Sequence, residues 1–518
     1  MDGLNLTKQK KNQFLRFGSN YMSDSILNKN ISAIQSVNPE LSNDEIKRRL
    51  RSFRIEIIVE GTDSNTVNTS KILLNLLPRF FSSVKLSGKK NSLYHLPASH
   101  RELITQNNNN PSLIIYLGPK KLKSRKRVLF VGSCGWSAYI STSKPMKYPK
   151  SHQNPIGAIL AGAIAAGEAF KRAFPELKGE LVNELIYDPL TYGEKKGPVI
   201  EPLIPDEIHF DDLTLIGLGG VGMGIIYCLN SLNSISGILR LIDPEEMDKS
   251  NEQRYLYGFK ENRGKSKVSI ASDILNETHP FLLDVKTHQN SYENLVKSLD
   301  MPLYLPLVVI TVDQESTRKN VQAGLPKIIY NGWTDTDNPT MAYGIGKHEL
   351  TGSYECLACA YFPTFGPKDS YDLAALRTGF SVSELKRRQE DNILTTEEDI
   401  VNISKHRGTP VTNLKRFVNE PITALLHGEC GVFRTASQDK EATAPIPHIP
   451  LLLAIQLATQ LIIPYLEPST EIKQLESAAV FYGLEIPSQN PFEKRKKNTQ
   501  CFCSDPVYSE TYKKKWNS

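Results

Sequence analysis

The sequence predicts an α/β protein made of two doubly wound units in tandem. Three observations predict this. Strand-length apolar runs alternate with helical stretches in both halves. One run, Leu213 to Ile216, opens into Gly217-Leu218-Gly219-Gly220-Val221-Gly222 and then an apolar helix. The next apolar strand ends in an acid, Asp243. Glycines at that spacing allow a tight turn and let backbone amides approach a phosphate. An acid after the second strand is placed to bind a ribose hydroxyl. The second half is therefore expected to hold an adenine nucleotide at Gly217, Gly219, Gly220, Gly222 and Asp243.

Taken in order, residues 1 to about 50 are polar and helix-prone. Arg54 to Glu60 alternates like a half-buried strand, and Asn107 to Pro111 reads as a loop. Ser112 to Leu117 and Arg127 to Gly132 are two further strand-like runs. The turn Gly132-Ser133-Cys134-Gly135-Trp136 stands where a nucleotide loop would, but lacks the glycine spacing. The first unit is therefore read as a degenerate nucleotide fold. Gly157 to Phe170 is a helix rich in small residues, suited to close packing. The proline-containing segment Lys196 to Asp206 marks a boundary, giving units 1–200 and 201–518. Residues 364–429 are polar and helical in pattern, too long for a plain connection and so expected to be functional. Ile449 to Leu466 is apolar but carries Gln456, Gln460 and Pro464, which fits a buried helix rather than a membrane span. Val480 to Leu484 reads as a final strand.

Composition sets outer bounds. At 518 residues, with 40% hydrophobic and 23% charged residues, the chain is long enough for two or three globular domains. A net charge of +6 is small for this length and does not point to nucleic acid. The basic runs Lys8 to Lys11, Lys120 to Arg127 and Lys494 to Lys497 read as solvated segments. The first residues lack a signal-type apolar stretch. Seven cysteines, with two closely spaced pairs, suit a reducing compartment with metal or thiol chemistry rather than a disulfide framework. The expectation is a cytoplasmic protein with neither a nucleic-acid nor a membrane partner.

The residues after Asp243 refine the ligand. A GxGxxG turn alone most often serves NAD or FAD, whose pyrophosphate needs few cations. Here Asn251, Arg254 and Lys267 follow within one stretch, and fixed cations suit the larger charge of a triphosphate. Arg254 would hold the β- or γ-phosphate and Lys267 would offset charge near the α-phosphate. Gly264-Lys265-Ser266 is not read as a P-loop, because Gly258 stands one residue too far upstream and no strand leads in. Asp313 ends an apolar strand, Leu307 to Val312, at the edge where open α/β sheets bind ligands. Cys356, Cys359, Cys501 and Cys503 would complete a four-thiolate zinc site, although Cys356 and Cys359 alone also fit a redox pair.

Asp243-x-Glu245-x3-Lys249-Ser250-Asn251-x2-Arg254 followed by Gly264-x2-Lys267 resembles the ATP site of the E1-like adenylating family. That family includes ThiF, MoeB and the activating enzymes of ubiquitin-like proteins. Leu307 to Asp313-Gln314 with Arg318, and the pairs Cys356/Cys359 and Cys501/Cys503, resemble further family landmarks in the same order. The likeness covers roughly residues 205 to 510. Glu245, Glu252, Tyr255 and Gln314 depart from the usual residues but leave the charged positions intact. The resemblance implies an inactive adenylation-type domain joined to an active one, a pseudo-dimer in one chain. It implies that Asp313 holds Mg²⁺ and that the four cysteines hold Zn²⁺, tying the tail to the core. It also implies that residues 364–435 are the crossover and cysteine region, with Cys430 of His427-Gly428-Glu429-Cys430-Gly431-Val432 as nucleophile. Cys134 is the rival thiol, and Cys228 reads as a core residue.

The function so implied is ATP-dependent activation of a ubiquitin-like protein. The carrier's terminal carboxylate would be adenylated, passed to Cys430 as a thioester, and handed to an E2-like conjugating enzyme. The first half, with RVLFVG-x2-GW and NPIGA, resembles E1 proteins of bacterial conjugation operons, some of the Bil type serving antiphage defence. The rival readings are sulfur-carrier activation, a non-catalytic half of a heterodimer, and an NAD-dependent oxidoreductase.

Overall fold

A computed structural model describes residues 23–88, 110–146 without 123 and 125, 154–194 without 178, 202–299, 302–335 and 340–361. It further describes residues 375, 378–391, 393–407, 411–419, 422, 445–487 and 490–516. Contacts divide the chain into two units: 1–313 with 317–357 and 443–518, and 314–316 with 358–442.

The larger unit contains two sheets of similar plan. The chain enters through helices α1 (Asp24–Val37) and α2 (Asn43–Ser52), each started by a serine whose hydroxyl accepts from a first-turn amide. Strand β1 (Arg54–Val59), helix α3 (Ser64–Phe80), β2 (Ser83–Gly88), β3 (Leu113–Leu117) and β4 (Val128–Cys134) form the parallel part of the first sheet, in the order β2-β1-β3-β4. Then β5 (Ser137–Ser141), helix α4 (Pro155–Ala173), β6 (Glu184–Asp188) and β7 (Gly193–Glu194) add three antiparallel strands.

The turn Gly132–Trp136 differs from its expected form. Residues 132–134 continue β4, and Gly135-Trp136 turns the chain straight back as a hairpin, with Cys134 opposite Ser137. Gly135 has φ +56°, and a Cβ on Gly157 would stand 2.2 Å from its carbonyl oxygen. Trp136 is buried and donates Nε1 to the Pro202 carbonyl at 2.6 Å. A strand-turn-helix step does exist in this sheet, but it is β1 into α3. There Asp63 caps the helix, accepting from the Thr66 amide at 2.9 Å. An acid thus occupies the position a phosphate would need.

The second sheet begins with β8 (Glu207–Ile216), helix α5 (Gly220–Asn230), β9 (Ser234–Ile242), α6 (Lys267–Thr278), β10 (Leu283–His288), α7 (Tyr292–Lys297), β11 (Leu307–Ile310), α8 (Glu315–Ala323) and β12 (Ile328–Asp335). These strands are parallel in the order β10-β9-β8-β11-β12. Counted from β8, that is 3-2-1-4-5, with the order reversing between β8 and β11. Strands β13 (Ala342–His348), β14 (Ala478–Tyr482) and β15 (Phe492–Glu493) extend it antiparallel. The strand expected last is therefore followed by one more short pairing.

Residues on both sides of position 200 share one hydrophobic core. At its centre lies α9, His448–Ile462, all fifteen residues of which are buried. It packs on α4, α5, β12 and β13. By length and composition it could cross a membrane, but here 89% of the segment His448–Tyr465 is buried within the fold. The small residues of α4 permit this packing: a Cβ on Gly167 would stand 2.8 Å from His448 Nε2.

His448 is buried beside Phe80 and Phe170. Its Nε2 lies 3.5 Å from the Gly483 carbonyl, while Nδ1 has no hydrogen-bond partner among the described residues. Burial pushes its pKa down from 6.5 to about 3. The unfolded chain therefore takes up this proton first, so stability is full above about pH 6.5 and is lost as pH falls towards about 3. The slope should reach about 1.4 kcal/mol per pH unit. Urea unfolding from pH 7 to 4 should show that slope, and His448→Gln should flatten it.

The smaller unit is helical among its described residues. Helices α10 (Val382–Glu390) and α11 (Glu397–Arg407) and the turn Val411–Leu414 surround a core of Leu385, Ile400, Ile403, Leu414, Phe417 and Ile422. Arg388 binds the Asp399 carboxylate through two nitrogens at 2.9 Å each. This agrees with the polar helical pattern read for residues 364–429. In chain order, the last helix of the larger unit is α12 (Pro506–Trp516).

Candidate nucleotide site and cysteine cluster

The carboxyl ends of β8, β9 and β11 meet at the point where the strand order reverses. After Ile216 the chain turns at Gly217, whose φ is +92°. A Cβ there would stand 2.9 Å from Val312 Cγ1 and 3.0 Å from Val312 N. A Cβ on Gly222 would stand 2.1 Å from the Gly217 carbonyl oxygen, so the spacing lets helix and turn close on each other. Gly219 is the N-cap of α5 and supplies no side-chain cap, while the space at its own Cβ holds only Tyr255 Oη at 3.5 Å. Thr311 fastens the turn, its amide bonding the Ile216 carbonyl and its hydroxyl the Gly217 carbonyl.

Asp243 is buried at the end of β9 and accepts from the Leu218 amide at 2.6 Å and the Glu245 amide at 2.8 Å. It thereby shapes the glycine turn directly. Burial raises its pKa, and the Lys267 charge and these two amides pull in the opposite direction. Lys267 opens α6 and is 1% exposed. Its Nζ pairs with Glu245, lies 3.3 Å from Tyr255 Oη, and stands over the Tyr255 ring. Burial acts to lower its pKa, but Tyr255, Asp243 and Glu245 outweigh it and the net shift is upward. Lys267 is therefore a fixed cation at neutral pH.

Arg254 approaches the same turn from the other side. Its Cγ would lie 3.5 Å from a Cβ on Gly220, and its guanidinium stacks over Tyr255 with the carbon 5.2 Å from the ring centre. Among the described residues its buried Nη1 meets no hydrogen-bond partner, which costs free energy unless a ligand supplies the acceptor. Asn251 is nearly buried and closes a capping box with Asp248: Asn251 Oδ1 accepts from the Asp248 amide, and Asp248 accepts from the Ser250 amide. Asp313 is exposed one residue beyond Val312. Arg318 fixes that loop, donating Nε to the Val312 carbonyl at 2.9 Å and Nη2 to the Gly332 carbonyl at 3.0 Å. The segment Gly264-Lys265-Ser266 forms no phosphate loop, since Ser266 is the N-cap of α6 and accepts from the Ser269 amide.

The residues present fit a nucleoside triphosphate: an uncapped helix start, a glycine cradle, a buried acid, a buried lysine and an orphaned guanidinium nitrogen. Tyr255 touches both cations and the turn, a role that its place in the sequence does not signal. A lone tyrosine carries no pattern there.

A second group lies apart from that site. The sulfurs of Cys356, Cys359, Cys501 and Cys503 lie within 4.8 Å of one another, and all four residues are buried. The Cys356 and Cys501 sulfurs are 3.6 Å apart, and none of the four is in a disulfide. Four thiolates at about 2.3 Å from a tetrahedral zinc would stand about 3.8 Å apart, so the donor set fits that ion. Hydrogen bonds join the two strands of chain that carry the thiols: the Glu355 amide to the Arg495 carbonyl, and Lys497 Nζ to the Leu350 carbonyl. Cys134 and Cys228 are buried, and burial raises both thiol pKa values. Cys430 lies outside the described residues.

Fold and site together define a doubly wound α/β protein with a nucleotide-type glycine turn at its switch point. No family model matches the chain. The curated uncharacterized protein y4jF of Sinorhizobium fredii (strain NBRC 101917 / NGR234) is 26% identical over 434 residues, 80% of this chain and 80% of that protein. A solved structure of E. coli MccB with MccA-N7isoASN is 13% identical, covering 56% of this chain and 66% of that one, with a TM-score of 0.33. The E. coli tRNA N6-threonylcarbamoyladenosine dehydratase, TcdA, is 18% identical, covering 24% and 50%, with a TM-score of 0.20. The chain spans less than two thirds of the length of either solved structure.

Proposed function

We propose that this chain is an ATP-dependent adenylating enzyme of the E1-like type, with residues 1–200 as its degenerate half and 201–518 as its active half. The observation that carries the reading is the pair of cations beside the glycine turn: the buried Lys267, and Arg254, whose buried Nη1 has no partner among the described residues. A dinucleotide site binds its pyrophosphate largely through helix-end amides and needs few fixed cations, whereas a triphosphate calls for them. Gly217, Gly219, Gly220 and Gly222 would cradle the phosphates, Asp243 and Asn251 would border the nucleoside, and Asp313 would hold Mg²⁺, which offsets the triphosphate charge when bound.

In the reaction, a substrate carboxylate oxygen bonds to the α-phosphorus. The bond from that phosphorus to the bridging α–β oxygen breaks, and pyrophosphate leaves. Lys267 and Arg254 stabilise the charge that grows on the phosphate oxygens. The substrate is a ubiquitin-like protein with a terminal glycine, and Cys430 takes its acyl group from AMP as a thioester for delivery to an E2-like enzyme. Service in antiphage defence follows from the same resemblance. The four cysteines would bind a structural Zn²⁺.

The test is carrier-dependent exchange of radiolabelled pyrophosphate into ATP, run beside nicotinamide-dinucleotide binding. Exchange without dinucleotide binding is expected; the reverse would establish the oxidoreductase reading. Cys430→Ala should retain exchange and lose the carrier adduct that reducing agents cleave. If the adduct persists and Cys134→Ala removes it, the thiol is Cys134. If neither change matters, the enzyme stops at the adenylate, as sulfur-carrier activation by direct transfer would.

A further inference from the structure

Arg79 is a fully buried arginine on α3, in the first half of the chain. Its side chain reaches into the second half. Nη1 donates to the Glu252 carbonyl and lies 3.5 Å from the Gly258 carbonyl, and Nη2 lies 3.4 Å from the Leu256 carbonyl. Asn75, one turn earlier on α3, holds the fork in place. Its carbonyl accepts from Arg79 Nε at 2.8 Å and its Oδ1 from Nη2 at 2.8 Å. Asn75 Nδ2 then donates to the same Leu256 carbonyl at 2.9 Å. Phe259 covers the guanidinium, with its ring centre 5.7 Å away.

Helix α1 adds to the grip. Gln253 Nε2 donates to Asn30 Oδ1 at 2.9 Å, and Asn30 Nδ2 donates to the Arg79 carbonyl at 2.7 Å. The segment held is 252–258, and it carries Arg254 and Tyr255. Its own backbone closes in tight turns, the Arg254 and Tyr255 amides bonding the Asn251 carbonyl and the Gly258 amide the Tyr255 carbonyl. Glu252 and Leu256 stand two residues to either side of Arg254, so fixing their carbonyls fixes the backbone from which Arg254 projects.

The geometry assigns Arg79 the role of positioning residue for Arg254, an inference that rests on the nucleotide reading above. The guanidinium presents donors in a rigid planar fork that can address several carbonyls at once; a lysine ammonium is a single point of charge. Without the fork, segment 252–258 must be ordered when the phosphates bind, and that ordering is subtracted from affinity. The first half of the chain thereby contributes to the site without touching the nucleotide.

The test combines MgATP titration by calorimetry with hydrogen exchange of the full-length protein. Wild type, Arg79→Lys, Arg254→Ala and the double variant are compared. Arg79→Lys should weaken MgATP about tenfold, and the double variant should bind no more weakly than Arg254→Ala alone, because both changes remove one interaction. Amides of 252–258 should exchange faster in Arg79→Lys, while those of β9 and α6 keep their protection. Additive losses, or unchanged exchange at 252–258, would overturn the assignment. If wild type binds no MgATP, the nucleotide reading fails, and the exchange result alone decides whether Arg79 orders the segment. Should Arg79→Lys not fold, Asn75→Ala takes its place, since it removes the Asn75 side-chain bonds to Arg79 and to the Leu256 carbonyl and leaves the charge; the same faster exchange and non-additivity are expected.

Discussion

Alanine at Arg254 or at Lys267 should each slow ATP–pyrophosphate exchange by about 2–4 kcal/mol of transition-state stabilisation, roughly 30- to 1000-fold. Such donors act most strongly where they are fixed and water is excluded. Lys267 is 1% exposed and kept charged by Tyr255, Asp243 and Glu245. Arg254 is stacked on Tyr255, with Nη1 buried and without a partner among the described residues. The two substitutions should differ in stability. Arg254→Ala removes an orphaned donor and should leave the melting temperature near that of wild type. Lys267→Ala leaves Asp243 buried beside Glu245 without its cation, and should lower it. Asp313→Ala alters an exposed position, so it should impair exchange through Mg²⁺ alone and leave folding untouched. Near-normal exchange in all three variants, measured at saturating MgATP, would mean the nucleotide is held elsewhere.

Cys501→Ser should remove most of the zinc, expected at about one ion per chain, and release the carboxyl-terminal segment. Metal bound by four thiolates contributes on the order of 10 kcal/mol in small zinc domains, where binding and folding are coupled. Here the cluster joins Cys356 and Cys359, after β13, to Cys501 and Cys503, just before α12. Beyond the cluster, α12 is docked by Tyr512 Oη on the Lys327 carbonyl at 2.5 Å, Lys515 Nζ on Gly324 at 2.9 Å and Trp516 Nε1 on Leu325 at 2.9 Å. Without the metal, the tail is left to those bonds, to the Glu355–Arg495 and Lys497–Leu350 bonds, and to the short β15 pairing. Hydrogen exchange should therefore rise first over residues 490–516, with β8 and β9 still protected. Zinc content measured by atomic absorption, unchanged in Cys501→Ser, would reject the site.

The glycine turn shows how a local pattern can be read without a structure. The positive φ at Gly217 and the contact between Gly222 and the Gly217 carbonyl are demands on single residues, and only glycine meets them. The strand runs at 54–59, 113–117 and 128–134 are legible in the same way: the first alternates between buried and more exposed positions, and the other two are apolar runs buried along nearly their whole length. The strands at 83–88, 137–141 and 184–188 were not legible. They are short and mixed in composition, and their pairing depends on neighbours distant in the chain. The first-half turn stands after a strand, as expected, but leads into a second strand rather than a helix. Gly135-Trp136 can serve a phosphate loop or a hairpin, and the buried fit of Trp136 against Pro202 decides between them.

By itself the sequence determined the α/β class, the second-half order of strand, glycine turn, helix and acid-ended strand, and the residue types available for a triphosphate and for zinc. These are set by properties that each residue carries locally: missing side chains, charge and thiol chemistry. Only the tertiary structure decided which of them meet. It placed Lys267 against Tyr255, left Arg254 Nη1 without a partner among the described residues, and gathered four sulfurs separated by up to 147 positions within 4.8 Å. It also brought Arg79 to the carbonyl of Glu252, 173 residues away. Contacts of that separation depend on the packing of α3, α4 and α9 into one core. No pattern in neighbouring residues records them, because the free energy that forms them comes from burial shared across the whole unit.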